Sequence, residues 1–174
     1  MEERIQKLEL DVLICNLFQD YDTLENARTK LRAVRDDFFK NAYKDSLSTV
    51  NTLIGQGIRV GILSATNKRN LTEDLIRLEF PIDSLVVLQG SDETQVHKPD
   101  PDVFLPLIEK LRENSIGRED ILYVGDSLDD LKAATAAGIG FIAITTGLYS
   151  EEDFRKNGAQ IILKDLTELI EKII

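Results

Sequence analysis

Cysteine is almost missing from this chain of 174 residues: Cys15 stands alone, so neither an internal disulfide nor a multi-cysteine zinc site can form. That usage points to a reducing, cytoplasmic compartment. Tryptophan is absent and histidine occurs once, at His97. Long apolar runs are also lacking. The longest, Val12 to Cys15 among them, stop far short of the ~20 residues that a membrane helix needs. Met1-Glu2-Glu3-Arg4 lacks the basic and then apolar stretch of a signal peptide. Positive charge is in deficit, with 21 basic against 31 acidic residues and a net charge of −10. Such a surface repels a phosphate backbone, which argues against nucleic acid as a partner. What is present is the material of a core. Apolar residues make up 43% and charged residues 30%, over the length of one domain with room for a small accessory element.

The texture changes near residue 45. Before it the pattern is helical: Leu24, Ala27, Leu31, Val34, Phe38 and Ala42 recur at three- and four-residue steps, and Asp22 with Glu25 has the spacing of a capping box. Val12 to Cys15 fits either a helix or a buried strand, because periodicity does not separate them there. After residue 45, strands alternate with amphipathic helices. Arg59–Leu63, Leu85–Leu88, Ile121–Val124, Phe141–Ile144 and Ile161–Leu163 read as strands. The helix before the first strand should stop at Gly55 or Gly57, and the helix from Leu131 to Ala137 at Gly138. Near-continuous apolar strands between such helices predict an α/β fold, a doubly wound parallel sheet covered on both faces. Active residues then belong in the loops after the carboxyl ends of the strands.

Polar residues stand at those ends. Ser64 follows the first strand, where its hydroxyl either donates to a phosphoryl oxygen or simply caps the next helix. Lys98, in His97-Lys98-Pro99-Asp100-Pro101, is either an ammonium held over an anion by a proline-stiffened loop or a solvated surface lysine. Asp126, Asp129 and Asp130 follow the third strand. They form either a carboxylate cluster that Mg2+ would compensate, or a helix cap with first-turn acids.

In order, Ser64, then Lys98-Pro99-Asp100-Pro101, then Gly125-Asp126-Ser127-Leu128-Asp129-Asp130 resemble the second, third and fourth motifs of the haloacid dehalogenase superfamily. The stretches Lys98–Phe104 and Tyr123–Gly138 are similar to its phosphoglycolate-phosphatase-like branch. The resemblance covers the chain from about Lys44 onward. It implies a Rossmann-like core and Mg2+-dependent hydrolysis of a small phosphorylated metabolite through an aspartyl-phosphate. Ser64, or Thr66 as its alternate, would bind the phosphoryl oxygen. Lys98 would neutralise that oxygen and the nucleophile, and Asp126 would be the metal carboxylate with Asp130 beside it.

The family's first motif, Asp-x-Asp-x-Thr on a central strand, should precede Ser64, and no segment matches it. Asp20-Tyr21-Asp22-Thr23-Leu24 is one residue short, which leaves Asp20 as the nucleophile candidate. Residues 1–45 instead resemble the last helices of the family's cap domain, a partial N-terminal helical cap on an α/β core at 46–174. On that reading the central strand is missing between the strands ending at Ser64 and Asp126. A segment before Met1 then supplies it, Leu10 to Phe18 fills the gap, the two strands close up, or a homodimer forms by swapping. The alternative function is a non-catalytic remnant of the fold that binds a partner or an anion. A phospho-acceptor signalling domain fits less well, because there the acidic cluster comes first in the chain and the lysine last.

Overall fold

A computed structural model of the chain describes residues 23, 25–27, 29–30 and 41–173, and these divide between two compact units, Met1–Asn41 and Ala42–Ile174. In the first unit, residues 25–27 and 29–30 are helical. Thr23 starts that helix: its Oγ1 accepts the Asn26 N–H at 3.3 Å and its carbonyl accepts the Ala27 N–H at 2.9 Å. Asp20, Asp22 and the Val12–Cys15 run lie outside the described residues.

The second unit alternates helix and strand. Helix α1 (Ser46–Gly55) leads to strand β1 (Gly61–Leu63), α2 (Lys68–Arg77), β2 (Val87–Gln89) and α3 (Leu105–Arg112). Then come β3 (Leu122–Gly125), α4 (Leu128–Ala137), β4 (Gly140–Ile144), α5 (Glu151–Lys156), β5 (Ile161–Leu163) and α6 (Thr167–Ile173). Asp100 and Pro101 open a 3-10 turn, Pro101–Phe104, with proline at its first position, before the chain continues as α3. Helix α1 ends at Gly55, and Gly57 takes φ 80° beyond it, so both glycines named for that stop are used.

All strand pairs are parallel. Ile62 stands opposite Leu88 in one sheet; Val124 stands opposite Ile142, and Ala143 opposite Ile162, in the other. Alternation along β3 and β4 sorts side chains to two faces. Tyr123 and Phe141 pack with Phe104, Ala133 and Ala134 of the 3-10 turn and α4, while Val124, Ile142 and Ile144 pack with Leu53 of α1 and Leu169 of α6. A parallel sheet buried on both faces is the doubly wound arrangement the sequence predicts.

The strands nevertheless form two sheets, β1–β2 and β3–β4–β5, and among the described residues no ladder joins β1 to β3. The two strands therefore do not close up. Ser64 N–H donates to the Gln89 carbonyl and Gly140 N–H to that of Ile121, so bonding alternates along each strand. By that alternation the backbone of Gly61 and Leu63, and of Leu122 and Val124, points away from the paired neighbour. Between these walls lies an apolar cleft of about 360 Å3, lined by Leu63, Val87, Leu107, Leu111, Leu122 and Tyr123, among others.

Gly138 ends α4 at φ 71°, a left-handed conformation that an alanine enters only with strain, although open space surrounds it. Gly138→Ala should lower stability by about 1 kcal/mol. Thermal unfolding followed by circular dichroism would read this as a drop of roughly 2–4 °C; an unchanged midpoint would contradict the assignment of Gly138 as the helix stop.

Candidate active site

At the end of β1, the chain turns through Ser64-Ala65-Thr66 into α2. The cap of α2 is Asn67, whose side chain accepts the Asn70 N–H at 3.0 Å. Ser64 is therefore not the helix cap. Its Oγ accepts the Thr66 N–H at 3.1 Å, which closes the turn and leaves the hydroxyl proton to be donated elsewhere. The Thr66 carbonyl ties this turn to the segment after β2, accepting from Ser91 N–H at 3.0 Å.

The segment after β2 carries Lys98 and is fastened at both ends. Gln89, buried at the end of β2, donates from Nε2 to the Val103 carbonyl at 2.7 Å. Asp100 caps the Pro101–Phe104 turn through Asp102 N–H. Between these anchors Lys98 reaches Asp130 of α4. Its Nζ lies 2.5 Å from Asp130 Oδ1 and 3.0 Å from the Tyr123 hydroxyl. Lys98 is not a solvated lysine.

Asp130 takes this place because the sequence offers a capping box at the start of α4. Ser127 Oγ accepts the Asp130 N–H at 3.0 Å, and Asp130 Oδ2 accepts from Ser127 N–H and Oγ–H at 3.1 and 2.6 Å. The box turns Oδ2 back onto the helix start and aims Oδ1 at Lys98. Gly125 makes the room: a Cβ there would fall 2.6 Å from that of Asp130. Asp130 is only 4% exposed. Burial, the largest single influence, would raise its pKa, but the Lys98 ammonium together with the hydrogen bonds from Ser127 and Tyr123 outweighs it and holds the carboxyl below the usual carboxylate range. Burial alone would lower Lys98; Tyr123 and Asp130 outweigh it, and the ammonium titrates above its ordinary value. Burial pushes the Tyr123 phenol up to about 12, so it stays protonated at neutral pH.

Tyr123 is the member of this cluster that sequence reading missed. It passes for one apolar residue in a buried strand, and only its hydroxyl marks it as different. Asp129, by contrast, is exposed on the first turn of α4, as an ordinary dipole-favoured acid would be.

Asp126 stands at the end of β3, half-buried, and among the described residues no hydrogen bond engages its carboxylate. The Gly147 backbone lies against it: a Cβ at Gly147 would fall 2.7 Å from Asp126 Oδ2. Of the two predicted metal carboxylates, Asp130 has both oxygens occupied and Asp126 has both available. Among the described residues no group of three His, Cys, Asp or Glu side chains is placed to hold a metal ion together. The donor set thus fits an ion that keeps most of its waters and takes one protein carboxylate, which Mg2+ does. The structure brings together Lys98 and Asp130, seats Asp126 beside them in the chain at the same strand end, and leaves Ser64 outside this cluster at the end of β1.

Comparison with known proteins bears on this arrangement. The model of the family described as haloacid dehalogenase-like hydrolase matches residues 3–144. A phosphoglycolate phosphatase of Rhodospirillum rubrum is 33% identical over 134 residues, which cover 74% of this chain and 52% of that protein. A protein of Caldanaerobacter subterraneus subsp. tengcongensis, provisionally named pyrophosphatase PpaX, is 27% identical over 173 residues, 99% of this chain and 71% of its own length. A crystal structure from Bacteroides fragilis, provisionally named a haloacid dehalogenase-like hydrolase, superposes with a TM-score of 0.72 at 32% identity, covering 86% of this chain and 71% of that one. The chain thus spans about half the length of the Rhodospirillum phosphatase. Among the described residues no helix is long and apolar enough to cross a membrane.

A buried ion pair broken from one side leaves an uncompensated charge. In protein without added divalent cation, Asp130→Asn should cost about 3 kcal/mol at neutral pH. Because the native carboxyl titrates below its unfolded value, its contribution is present above the usual carboxylate range and is lost as pH falls through its own lower range. Urea unfolding across the acid limb should therefore show the wild-type advantage shrinking toward low pH. An advantage that stays constant into strong acid would refute the ionised pair.

Proposed function

The chain belongs to the haloacid dehalogenase-like hydrolases, and from that premise we propose that its core is the phosphate-binding part of a phosphomonoesterase acting on a small phosphorylated metabolite. The observation that carries this reading is Lys98. Its ammonium is fixed at a strand end by Asp130 and the Tyr123 hydroxyl, which use two of its three donors and leave one for an anion. A cation over the transferred oxygens stabilises charge where it develops in phosphoryl transfer.

The other roles follow from position. Ser64, relieved of capping by Asn67, donates its hydroxyl proton to a phosphoryl oxygen; Thr66 is the alternate donor in the same turn. Asp126 is the carboxylate offered to Mg2+, with Asp130 behind it holding Lys98. Bound there, Mg2+ would neutralise charge on the phosphoryl oxygens. In the covalent route a carboxylate oxygen attacks phosphorus, the ester P–O bond breaks, and the alcohol departs with a proton from an acid; water then hydrolyses the acyl phosphate. Asp20 is the carboxylate proposed for the attack, and its placement lies outside the described residues.

A second reading is a non-catalytic member of the family that binds an anion or a partner. It is favoured by Thr23, the residue that would complete the first motif, because Thr23 instead caps a helix through the Asn26 N–H. The two readings separate in one set of measurements on the full chain with magnesium present. Calorimetry should show inorganic phosphate binding that Lys98→Ala weakens at least about tenfold, as loss of a charge-assisted hydrogen bond does. Hydrolysis of an aryl phosphate that Asp20→Asn abolishes would establish the phosphatase and its nucleophile. Phosphate binding without turnover would establish the binding role, and wild type that binds no phosphate would overturn both.

A further inference from the structure

Lys98 has a long, freely rotating stem, and one contact does not aim it. Asp130 supplies a single point, Oδ1, since Oδ2 is held by the Ser127 backbone and hydroxyl. An ammonium bonded to one oxygen can swing about that bond. The second point is the Tyr123 hydroxyl, which accepts from Lys98 Nζ at 3.0 Å and donates to the same Asp130 Oδ1 at 3.1 Å, closing a three-membered ring of contacts. The phenol itself has little freedom. Phe104 meets its ring edge-on at 5.0 Å between centroids, and Phe141 lies tilted at 6.2 Å on the next strand.

We propose that Tyr123 is the positioning residue of this site: held by the aromatic core, its hydroxyl fixes the Lys98 ammonium in one orientation and leaves the third N–H directed at a phosphoryl oxygen. The inference deepens the phosphate-binding reading and rests on it for the identity of the anion. It separates two jobs. Asp130 supplies the charge that makes a buried ammonium tolerable, whereas Tyr123, neutral and rigid, supplies direction without cancelling any further positive charge. A second carboxylate in its place would have neutralised the cation that the anion needs.

Tyr123→Phe tests this, because it deletes the hydroxyl and keeps the ring that packs against Phe104. Nitrogen-15 labelling of the lysines allows the Lys98 ammonium to be observed by NMR without any ligand, assigned by its disappearance in Lys98→Ala. In wild type a hydrogen-bonded, slowly exchanging ammonium signal is expected; in Tyr123→Phe it should broaden beyond detection. Inorganic phosphate affinity, measured calorimetrically with magnesium present, should fall about three- to tenfold in Tyr123→Phe, the size of one hydrogen bond's net effect. A variant that is merely less stable, with the ammonium signal and phosphate affinity of wild type, would assign Tyr123 to the core alone and overturn the proposal. If wild type binds no phosphate, the functional reading falls, and the ammonium signal still decides whether Tyr123 orients Lys98.

Discussion

The buried pair of Lys98 and Asp130 is the constraint around which the rest of the site is arranged. A carboxylate as enclosed as Asp130 would be driven to its neutral form by desolvation, and a buried lysine likewise; each is ionised because the other is there. The pair makes demands on the backbone. Helix α4 must begin at Ser127, so that the capping box turns one carboxylate oxygen onto the helix and the other outward. Gly125 must lack a side chain, because a Cβ there would collide with Asp130. The segment after β2 must also be braced at Gln89 and Asp100, so that a lysine distant in sequence arrives at the end of β3. Changing any of these moves a charge rather than a surface loop.

Electrostatics sharpen the point. A protein of net charge −10 does not attract a phosphate monoester from a distance, since the monoester itself carries close to two negative charges. Affinity must come from short-range donors in a partly dehydrated site. Lys98 alone offers limited charge, because Asp130 already offsets much of it. This is the physical reason to expect the Ser64 hydroxyl and a hydrated cation at Asp126 to act together with the ammonium. It is also why an uncharged acceptor, the Tyr123 phenol, is better suited than a second acid to fix its orientation.

Much of the fold is legible in the sequence, and the part that is not has a common cause. Features with a local signature are legible in the sequence: the alternation of apolar strands with amphipathic helices, and Gly138 closing α4. Ser64, Lys98 and Asp126 are singled out by their order along the chain, which needs no knowledge of contacts. Roles that depend on competition between neighbours were not resolved. Ser64 and Asn67 are both good caps, and only the structure shows that Asn67 takes the task and releases the serine. Asp130 reads in the sequence as a metal carboxylate or a first-turn acid, whereas in the structure one of its oxygens closes a capping box and the other pairs with Lys98. Tyr123 gave no signal at all, because a phenol inside an apolar strand looks like any other core residue until a long-range donor reaches its hydroxyl.

The separation into two sheets gives the same ion pair a second, mechanical meaning. Ser64 belongs to the β1–β2 sheet, whereas Asp126 and Asp130 follow β3 of the other, and among the described residues no backbone ladder crosses from β1 to β3. Apolar packing around Val87, Phe104 and Tyr123 holds the two sheets in one core, but such packing is non-directional and sets relative orientation loosely. Directional bonds run instead through the segment that carries Lys98. Gln89 Nε2 fastens the β2 end to the Val103 carbonyl, and Lys98 fastens the same segment to Tyr123 and Asp130. Ser64 N–H in turn donates to the Gln89 carbonyl, so hydrogen bonds and the backbone between Lys98 and Val103 together connect the serine to the aspartate. The groups that would grip a phosphoryl oxygen are therefore registered to one another by the very lysine that would touch it. Loss of the Lys98 ammonium removes a positive charge and also one of the directional bonds that link the two halves of the site.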